Sequence, residues 1–377
     1  MFVVPIYWLA PTPLAQGLFF TFGNLLLLRM VIGSYMMKST LKPLLMLALL
    51  LLKSLLVTAQ PDIPHTRIAF GSCNDQDDPQ PLWADILAAK PDLWLWLGDN
   101  IYADTHDMDT LASKYHRQLR QPLYIQLLQT TPVTGTWDDH DFGYNDAGKE
   151  FEKKAQSQAL FLDFMGIPDT AAVRRQAGIY RSYTLGEGPR KVKIILLDVR
   201  YHRDKLLDVF GLYLPNYAGD VLGEAQWQWL EKELASSDAQ INLIASGLQV
   251  LPNGHAYTNW SAFPSARKRL LHLLETTRPA NPILLSGDRH VGELAKINLQ
   301  GYTQPIYEIT SSGMTHFRKP STKGNKYRVG EQVGALNFGL LDVTWQGSSI
   351  EVTMQIRGVG NEALIEQQLT FTGNYTQ

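Results

Sequence analysis

Beyond residue 60 the chain alternates between two hydrophobic rhythms. Short runs in which almost every position is apolar, densest at Leu93-Trp94-Leu95-Trp96-Leu97, have the length of strands buried on both faces. Longer segments with apolar residues every third or fourth place have the period of amphipathic helices. The pattern predicts strands at 66–70, 93–97, 133–137, 179–185, 192–197, 241–245 and 283–285. It predicts helices at 82–89, 111–128, 150–165, 224–234 and 265–274. From Tyr307 onward apolar and polar residues alternate as in antiparallel strands. Strands and helices in alternation indicate an α/β fold. With no linker, repeat or low-complexity stretch after residue 60, residues 60–377 read as one domain.

The polar residues that follow these strands are not random. Several apolar runs end in a small residue and then in acidic residues or histidine: Gly98-Asp99-Asn100, Trp137-Asp138-Asp139-His140-Asp141, Leu197-Asp198-Val199-Arg200 and Ser286-Gly287-Asp288-Arg289-His290. In α/β sheets ligands bind beyond the carboxyl ends of the strands, so polar clusters at many strand ends read as one site.

Composition narrows the function classes. An apolar share of 45% suffices for a sizeable core, and 34 Lys+Arg against 36 Asp+Glu leave no basic excess for nucleic acid and no acidic tail. No protein partner is evident. The single cysteine excludes an internal disulfide framework. The first 59 residues differ from the rest. Lys38 and Lys42 precede an almost pure leucine run, and Val57 and Ala59 are small residues suited to a cleavage site before Gln60. This predicts a signal peptide starting at Met36 or Met37 and an exported protein, periplasmic or extracellular. An uncleaved membrane tether is the alternative. The uncharged stretch 1–28 carries Pro5, Pro11 and Pro13, which a spanning helix would have to accommodate, and it reads as sequence upstream of the true start.

Asp99 follows a buried strand, where an unpaired carboxylate is costly. Either a metal ion compensates it, with Tyr102 turning back as a phenolate, or Asp99 caps a helix and Tyr102 lies in the core; the residues leave both open. The run Asp138 to Asp141 packs three carboxylates and His140 between Trp137 and Phe142, and such charges repel unless cations or protons sit among them. Asp288 and His290, two apart after an extended strand, point the same way and suit Fe, Zn, Mn or Ca. Cys73 ends the first strand in Gly71-Ser72-Cys73; it is a small buried hydrophobe or, if it joins the cluster, a thiolate favouring a softer or higher-valent metal than magnesium. Arg200 either clamps a phosphate oxygen with its planar fork or pairs with Asp198. Asn145-Asp146 extends the acidic loop or forms a turn. Gln249 and His255 are candidates for the cleft wall, whereas His106, His116, His202 and His316 read as surface or satisfied histidines. Neither a Gly-x-Ser-x-Gly elbow nor a P-loop occurs, which disfavours a serine hydrolase or an NTPase.

Taken in order, these motifs resemble the PhoD-like alkaline phosphatase/phosphodiesterase family of the calcineurin-like metallophosphatases, over roughly residues 66 to 315. The resemblance implies two packed β-sheets flanked by helices, a four-layer α/β/β/α sandwich, and a site holding Fe3+ and Ca2+, other divalent metals being alternatives. It implies Cys73, Asp99 and Tyr102 as ligands of the ferric ion, Asp99 as bridge to the second metal and Asp139 as ligand there, where other metallophosphatases use Asn. It implies His140 beside the scissile phosphate, Asp288 and His290 as the last metal ligands, and Arg200, Arg289 and Asn100 as groups that meet or support the phosphate. Phe142-Gly143 after the acidic motif resembles a shorter subgroup, and the β-sandwich that often precedes the first motif in this family is not seen between the leader and Gly71.

The expected function is an exported phosphoesterase acting on small phosphate esters, or on lipid-headgroup or polymer phosphodiesters. Metals there neutralise phosphate charge and lower the pKa of a bound water from about 15.7 toward roughly 7, and the hydroxide so formed attacks phosphorus. His140 protonates the leaving oxygen or stabilises its charge. Two alternatives stand beside it: a metal-stabilised binding protein without catalysis, and a membrane-tethered phospholipid or polymer phosphodiesterase.

Overall fold

A computed structural model describes residues 64–210, 212–253, 257–321 and 325–373, so the segment expected to be a cleaved leader and His255 lie outside the described residues. The chain runs through β1 (His65–Gly71), α1 (Leu82–Ala89), β2 (Leu93–Leu97), α2 (Met108–Gln118), α3 (Pro122–Thr130), β3 (Val133–Thr136) and the single turn α4 (Asp139–Phe142). It continues through α5 (Lys154–Phe164), β4 (Arg181–Leu185), β5 (Val192–Leu196), β6 (Leu207–Val209), β7 (Leu212–Leu214), α6 (Glu224–Ala235) and β8 (Ile241–Ser246). The last part comprises α7 (Pro264–Thr277), β9 (Pro282–Ser286), β10 (Gly292–Ile297), β11 (Ile306–Ser311), β12 (Arg328–Val333), β13 (Phe338–Gln346), β14 (Ser349–Arg357) and β15 (Ala363–Thr372).

One sheet has the order β15-β14-β13-β1-β2-β3, the other β12-β10-β11-β9-β8-β5-β4, and β6 and β7 form a separate hairpin. The apolar run of β2 shows why the sheets stack. Its odd positions Leu93, Leu95 and Leu97 join Phe70, Ile194, Leu243 and Ile283 in a core between the sheets. Its even positions Trp94 and Trp96 turn to the other face and pack against Trp83 of α1 and Tyr124 of α3, with edge-on indole contacts at 5.0 and 5.4 Å. The outer face of the second sheet is covered likewise: Ile195, Ile244 and Leu284 meet Trp227 and Leu230 of α6 and Leu270 and Leu274 of α7. Burying one such side chain stabilises by roughly 1.5–3 kcal/mol, so strands apolar on both faces are satisfied only between layers. The result is the expected α/β/β/α sandwich.

In the first sheet β1, β2 and β3 are parallel; in the second β5, β8, β9 and β11 are parallel. The carboxyl ends of the two parallel runs meet. Thr136 at the end of β3 donates to the Leu197 carbonyl just after β5 at 2.7 Å, and Trp137 Nε1 donates to Asp198 at 2.9 Å.

Several elements differ from the sequence reading. The helix expected at 111–128 is two helices, because Pro122 lacks the amide needed inside a helix and starts a new one at its first position. The helix expected from residue 150 begins at Lys154. The short strands β6, β7 and β10 were outside the predicted set, and β11 pairs in parallel with β9 as well as antiparallel with β10.

Candidate metal centre

Four strand ends deliver the acidic and sulfur groups. β1 runs into Cys73, β2 into Asp99, β3 into Asp138 and Asp139, and β9 into Asp288 and His290. At these ends the backbone turns sharply: Cys73, Asp99, Asp288 and His290 have φ of 60°, 49°, 65° and 57°, a left-handed region that side chains other than glycine rarely adopt. Such strain persists only where the surroundings over-determine it, and it clusters at functional sites. Glycine makes the approach tolerable. A Cβ on Gly98, itself at φ +97°, would lie 2.5 Å from the Asp138 Cβ, and one on Gly287 would lie 2.5 Å from the Ser72 hydroxyl.

The acidic run folds into one capped turn. Asp138 is the N-cap of α4, and the Asp141 carboxylate accepts the Asp138 amide at 2.8 Å, closing a capping box. The other Asp141 oxygen accepts from Asn100 Nδ2 at 2.7 Å, tying this turn to the end of β2. Asp138, Asp139 and His140 are thereby presented to Asp99. Potential ligand atoms of Cys73, Asp99 and His290 lie within 4.8 Å of one another, as do those of Asp99, Asp138, Asp139 and Asp288, and those of Asp99, Asp139 and His140. Asp99 is common to all three groups. Tyr102 stands beside it, its hydroxyl 3.5 Å from Asp99 Oδ2 and 3.2 Å from His290 Nε2.

The electrostatics show what these groups need. Burial holds the Asp99 carboxyl well above the usual range, and the Cys73, Asp138 and Asp139 groups beside it add to the effect. Burial likewise pushes Asp288 up to about 8, Asp138 to about 6 and the Cys73 thiol to about 11, and it raises the Tyr102 phenol well above its ordinary value. Asp139 is also buried, but the Arg200 guanidinium and the His140 imidazole more than offset that and bring it down to about 2. Burial drives His290 down to about 3, with His316 and Arg318 acting in the same direction, so its imidazole is neutral and able to ligate. Asp138 Oδ2 is buried with no hydrogen-bond partner, and Asp139 Oδ1 makes no hydrogen bond and has only the Arg200 charge at 3.3 Å. Crowded carboxyls that resist ionisation, orphaned buried oxygens, a thiol and a neutral imidazole form a donor set that a cation satisfies in place of protons.

Above this floor opens a cavity of about 390 Å³, lined by Asp139, His140, Asn145, Asp146, Tyr213, Tyr257, Thr258, Asp288, Arg289, His290 and Arg318. His140 Nδ1 lies 2.8 Å from both oxygens of Asp104, and since a carboxylate only accepts, that nitrogen carries the proton. Burial opposes a charged ring, but the Asp99, Asp104 and Asp139 carboxylates together raise His140 to about 11.

Two residues expected at the phosphate sit elsewhere. The fully buried Arg200 lies beneath the cavity, with Nε 2.5 Å from Asp138 Oδ1 and Nη2 3.3 Å from Asp139 Oδ1. Its side chain orients these two carboxylates and pairs with neither the cavity nor Asp198, whose carboxylate accepts the Arg200 backbone amide instead. Asn100 is fully buried and bonded to Asp141 and the Thr136 carbonyl, which places it as a brace of the acidic turn. Gln249 is buried too, held by Glu293 and Thr310. Conversely, His316, read as a surface or satisfied histidine, stands at the site: its Nε2 is 3.3 Å from His290 Nε2 and its ring is 5.0 Å from that of Tyr102. Asp146 lines the cavity, and its amide donates to Asp139 Oδ2 at 2.6 Å. Asp104, Tyr213, Tyr257, Arg318 and Ser312, whose hydroxyl lies 3.0 Å from Cys73 Sγ, were not singled out. Only Asp104 had a local signal, as the next carboxylate after Tyr102; the others reach the site from distant loops.

An α/β/β/α sandwich with carboxylates, a thiol and imidazoles gathered at the carboxyl ends of both sheets defines a protein of the metallophosphatase type. The family model of the PhoD-like phosphatases matches residues 68–338, and the chain belongs to that family. It is 24% identical over 296 residues to alkaline phosphatase D of Bacillus subtilis (strain 168), covering 67% of this chain and 49% of that protein. The chain thus spans about half the length of this curated relative. Among solved structures, that of PhoD superposes with a TM-score of 0.67 at 17% identity, covering 82% of this chain and 69% of the other. A dimetal phosphatase from Danio rerio superposes with a TM-score of 0.50 at 14% identity, covering 82% of this chain and 99% of the other. At these identities the two structures speak for the fold alone.

Proposed function

We propose that the protein is a metal-dependent phosphoesterase that hydrolyses phosphate mono- or diesters in the cavity beyond the carboxyl ends of the two sheets. The observation that carries this reading is the pair of ligand sets sharing Asp99: Cys73, Asp99 and His290 on one side, with Tyr102 beside them, and Asp99, Asp138, Asp139 and Asp288 on the other. A thiol, a phenol and an imidazole suit a ferric ion, whereas an all-carboxylate set suits calcium or another hard divalent cation.

Metals bound there would neutralise phosphate charge and acidify a water. The chain's own residues do the rest. Asp104 fixes the His140 ring so that Nδ1 faces the carboxylate and Nε2 is free to face the cavity, where it can pass a proton to the leaving oxygen. Cations among Asp99 and Asp139 would weaken the pull of those carboxylates on His140 and bring its proton within reach of transfer. Arg200 keeps Asp138 and Asp139 in place by charge, and Arg289 on the cavity wall adds positive charge that attracts an anionic substrate.

The test combines metal analysis of purified protein with a panel of mono- and diesters on wild type and Asp99→Ala. Loss of hydrolysis with retained fold supports catalysis. Metal-loaded wild type that binds esters and turns none over would favour a binding protein and sink the proposal. A visible phenolate-to-iron absorption, lost in Tyr102→Phe, tests the ferric assignment. For the leader, we infer export from the pattern at residues 37–59, with lipid-headgroup or cell-wall polymer diesters as accessible substrates. A mature amino terminus near Gln60 is the expected result, and an intact leader on purified protein counts against it.

A further inference from the structure

The acidic floor accounts for one part of the cavity; a second part is cationic. Arg289 and Arg318 both line it, and both guanidinium groups lie over the same Tyr257 ring, at 4.3 and 4.6 Å from its centre. Neither makes an ion pair with a carboxylate among the described residues, half-buried Arg289 and exposed Arg318 alike, whereas Arg200 pairs with Asp138 and Arg328 with Glu293. The Arg289 side chain makes no hydrogen bond there at all, and Arg318 makes a single side-chain bond, from Nε to His290 Nδ1 at 3.3 Å. Two like charges held against one ring repel each other. Stacking on an aromatic face contributes only about 0.5–1 kcal/mol at exposed sites, and a planar fork with unused donors is suited to an oxyanion. The cavity, about 390 Å³, is several times larger than one phosphate group requires.

Resting on the phosphoesterase reading above, we propose that Arg289 and Arg318, gathered on Tyr257, form a subsite for a second anionic group, so that the preferred substrates are phosphate esters carrying a further phosphate or carboxylate beside the scissile phosphate. The scissile group then lies over Asp139, Asp288 and His140, and the second anion takes the guanidinium donors that the protein leaves unused.

The experiment uses three p-nitrophenyl phosphodiesters with one leaving group and a second substituent that is propyl, 2-carboxyethyl or 2-phosphonoethyl. In the metal-loaded wild type, kcat/KM for the charged diesters is expected to exceed that for the propyl diester by about tenfold or more. In R289Q/R318Q this ratio falls to near one, whatever happens to the absolute rates, and in R289K/R318K part of it returns. The carboxylate and phosphonate arms show which anion is preferred. A ratio near one in wild type, or an unchanged ratio in folded R289Q/R318Q, overturns the subsite. Hydrolysis of none of the three, nor of the monoester p-nitrophenyl phosphate, would instead end the phosphoesterase reading. Calorimetry then decides the subsite alone: 3-phosphonopropionate should bind wild type more tightly than propylphosphonate does, with the advantage lost in R289Q/R318Q, and equal affinities would overturn it.

Discussion

On the floor of the cavity, Cys73, Asp99, Asp139 and Asp288 stand on the first residues after buried parallel strands, braced by Arg200, Asn100 and Asp141. On its rim, Asn145, Tyr213, Tyr257 and Arg318 come from connections between elements and are exposed or half-buried. The floor is acidic, strained and fully packed; the rim is aromatic and cationic. On the proposed function, the difference separates two tasks. Holding metal ions demands donors fixed to fractions of an ångström, which strand ends supply. Selecting among esters demands groups that can vary without disturbing that frame, which loops supply.

The sharpest way to break this division is at Asp99, which belongs to every ligand group. Asp99→Ala is expected to lower kcat/KM on the order of 10⁴-fold, about 5.5 kcal/mol of transition-state stabilisation, while circular dichroism shows a retained fold. A loss below tenfold would mean that the floor is not the catalytic frame. Beneath the floor, Arg200→Ala removes the cation between two buried carboxylates and should cost about 3–5 kcal/mol in denaturant unfolding, since it strands a buried charge.

Metal and pH should act together on the floor and not on the rim. Asp288 in the metal-free fold is raised to about 8, so its contribution to stability is present below the ordinary carboxyl value and is lost as pH rises through about 8. Cations displace that proton. Added metal is therefore expected to raise the melting temperature more at pH 8 than at pH 5, with about 2.7 kcal/mol gained at 100-fold excess over Kd. An equal shift at both pH values would remove proton competition from the account.

Asp104 joins the two regions through His140. Asp104→Asn should reduce turnover of esters with poor leaving groups by about 10–100-fold, and of p-nitrophenyl esters less, because only the former need a proton on the departing oxygen. Uniform loss across leaving groups would point to misplacement of the ring instead. At the far end of the scale, Phe210→Ser at the fully exposed tip of the β6–β7 hairpin should change unfolding free energy by no more than about 0.5 kcal/mol.

The same division governs what could be read beforehand. The strand-end motifs were legible because an acidic residue directly after a buried apolar run is costly and needs a reason; Asp99, Asp139 and Asp288 carry that signal, while the roles of Cys73, Tyr102, His140 and His290 followed from the family resemblance. Arg200 and Asn100 stand at the same strand ends, yet they face inward as braces: local sequence places a residue at a strand end but does not say whether its side chain points into the cavity or beneath it. His316 and Arg318 were missed because nothing near them in the chain marks the loop after β11 as neighbour to the loop after β9; that adjacency arises from the parallel pairing of the two strands. The helix over 111–128 was misjudged where Pro122 outranked the apolar period.

Taken alone, the sequence determined which segments are strands buried on both faces, which are one-sided helices, and which donor types follow them, because hydrophobic period and the cost of burying charge are local properties. Tertiary structure alone decided that two sheets bring their carboxyl ends to one place, which carboxylates meet around Asp99, and that two arginines share the Tyr257 ring. Those contacts join residues more than thirty and up to about two hundred positions apart, and their geometry is set by the packing of whole layers rather than by neighbours along the chain.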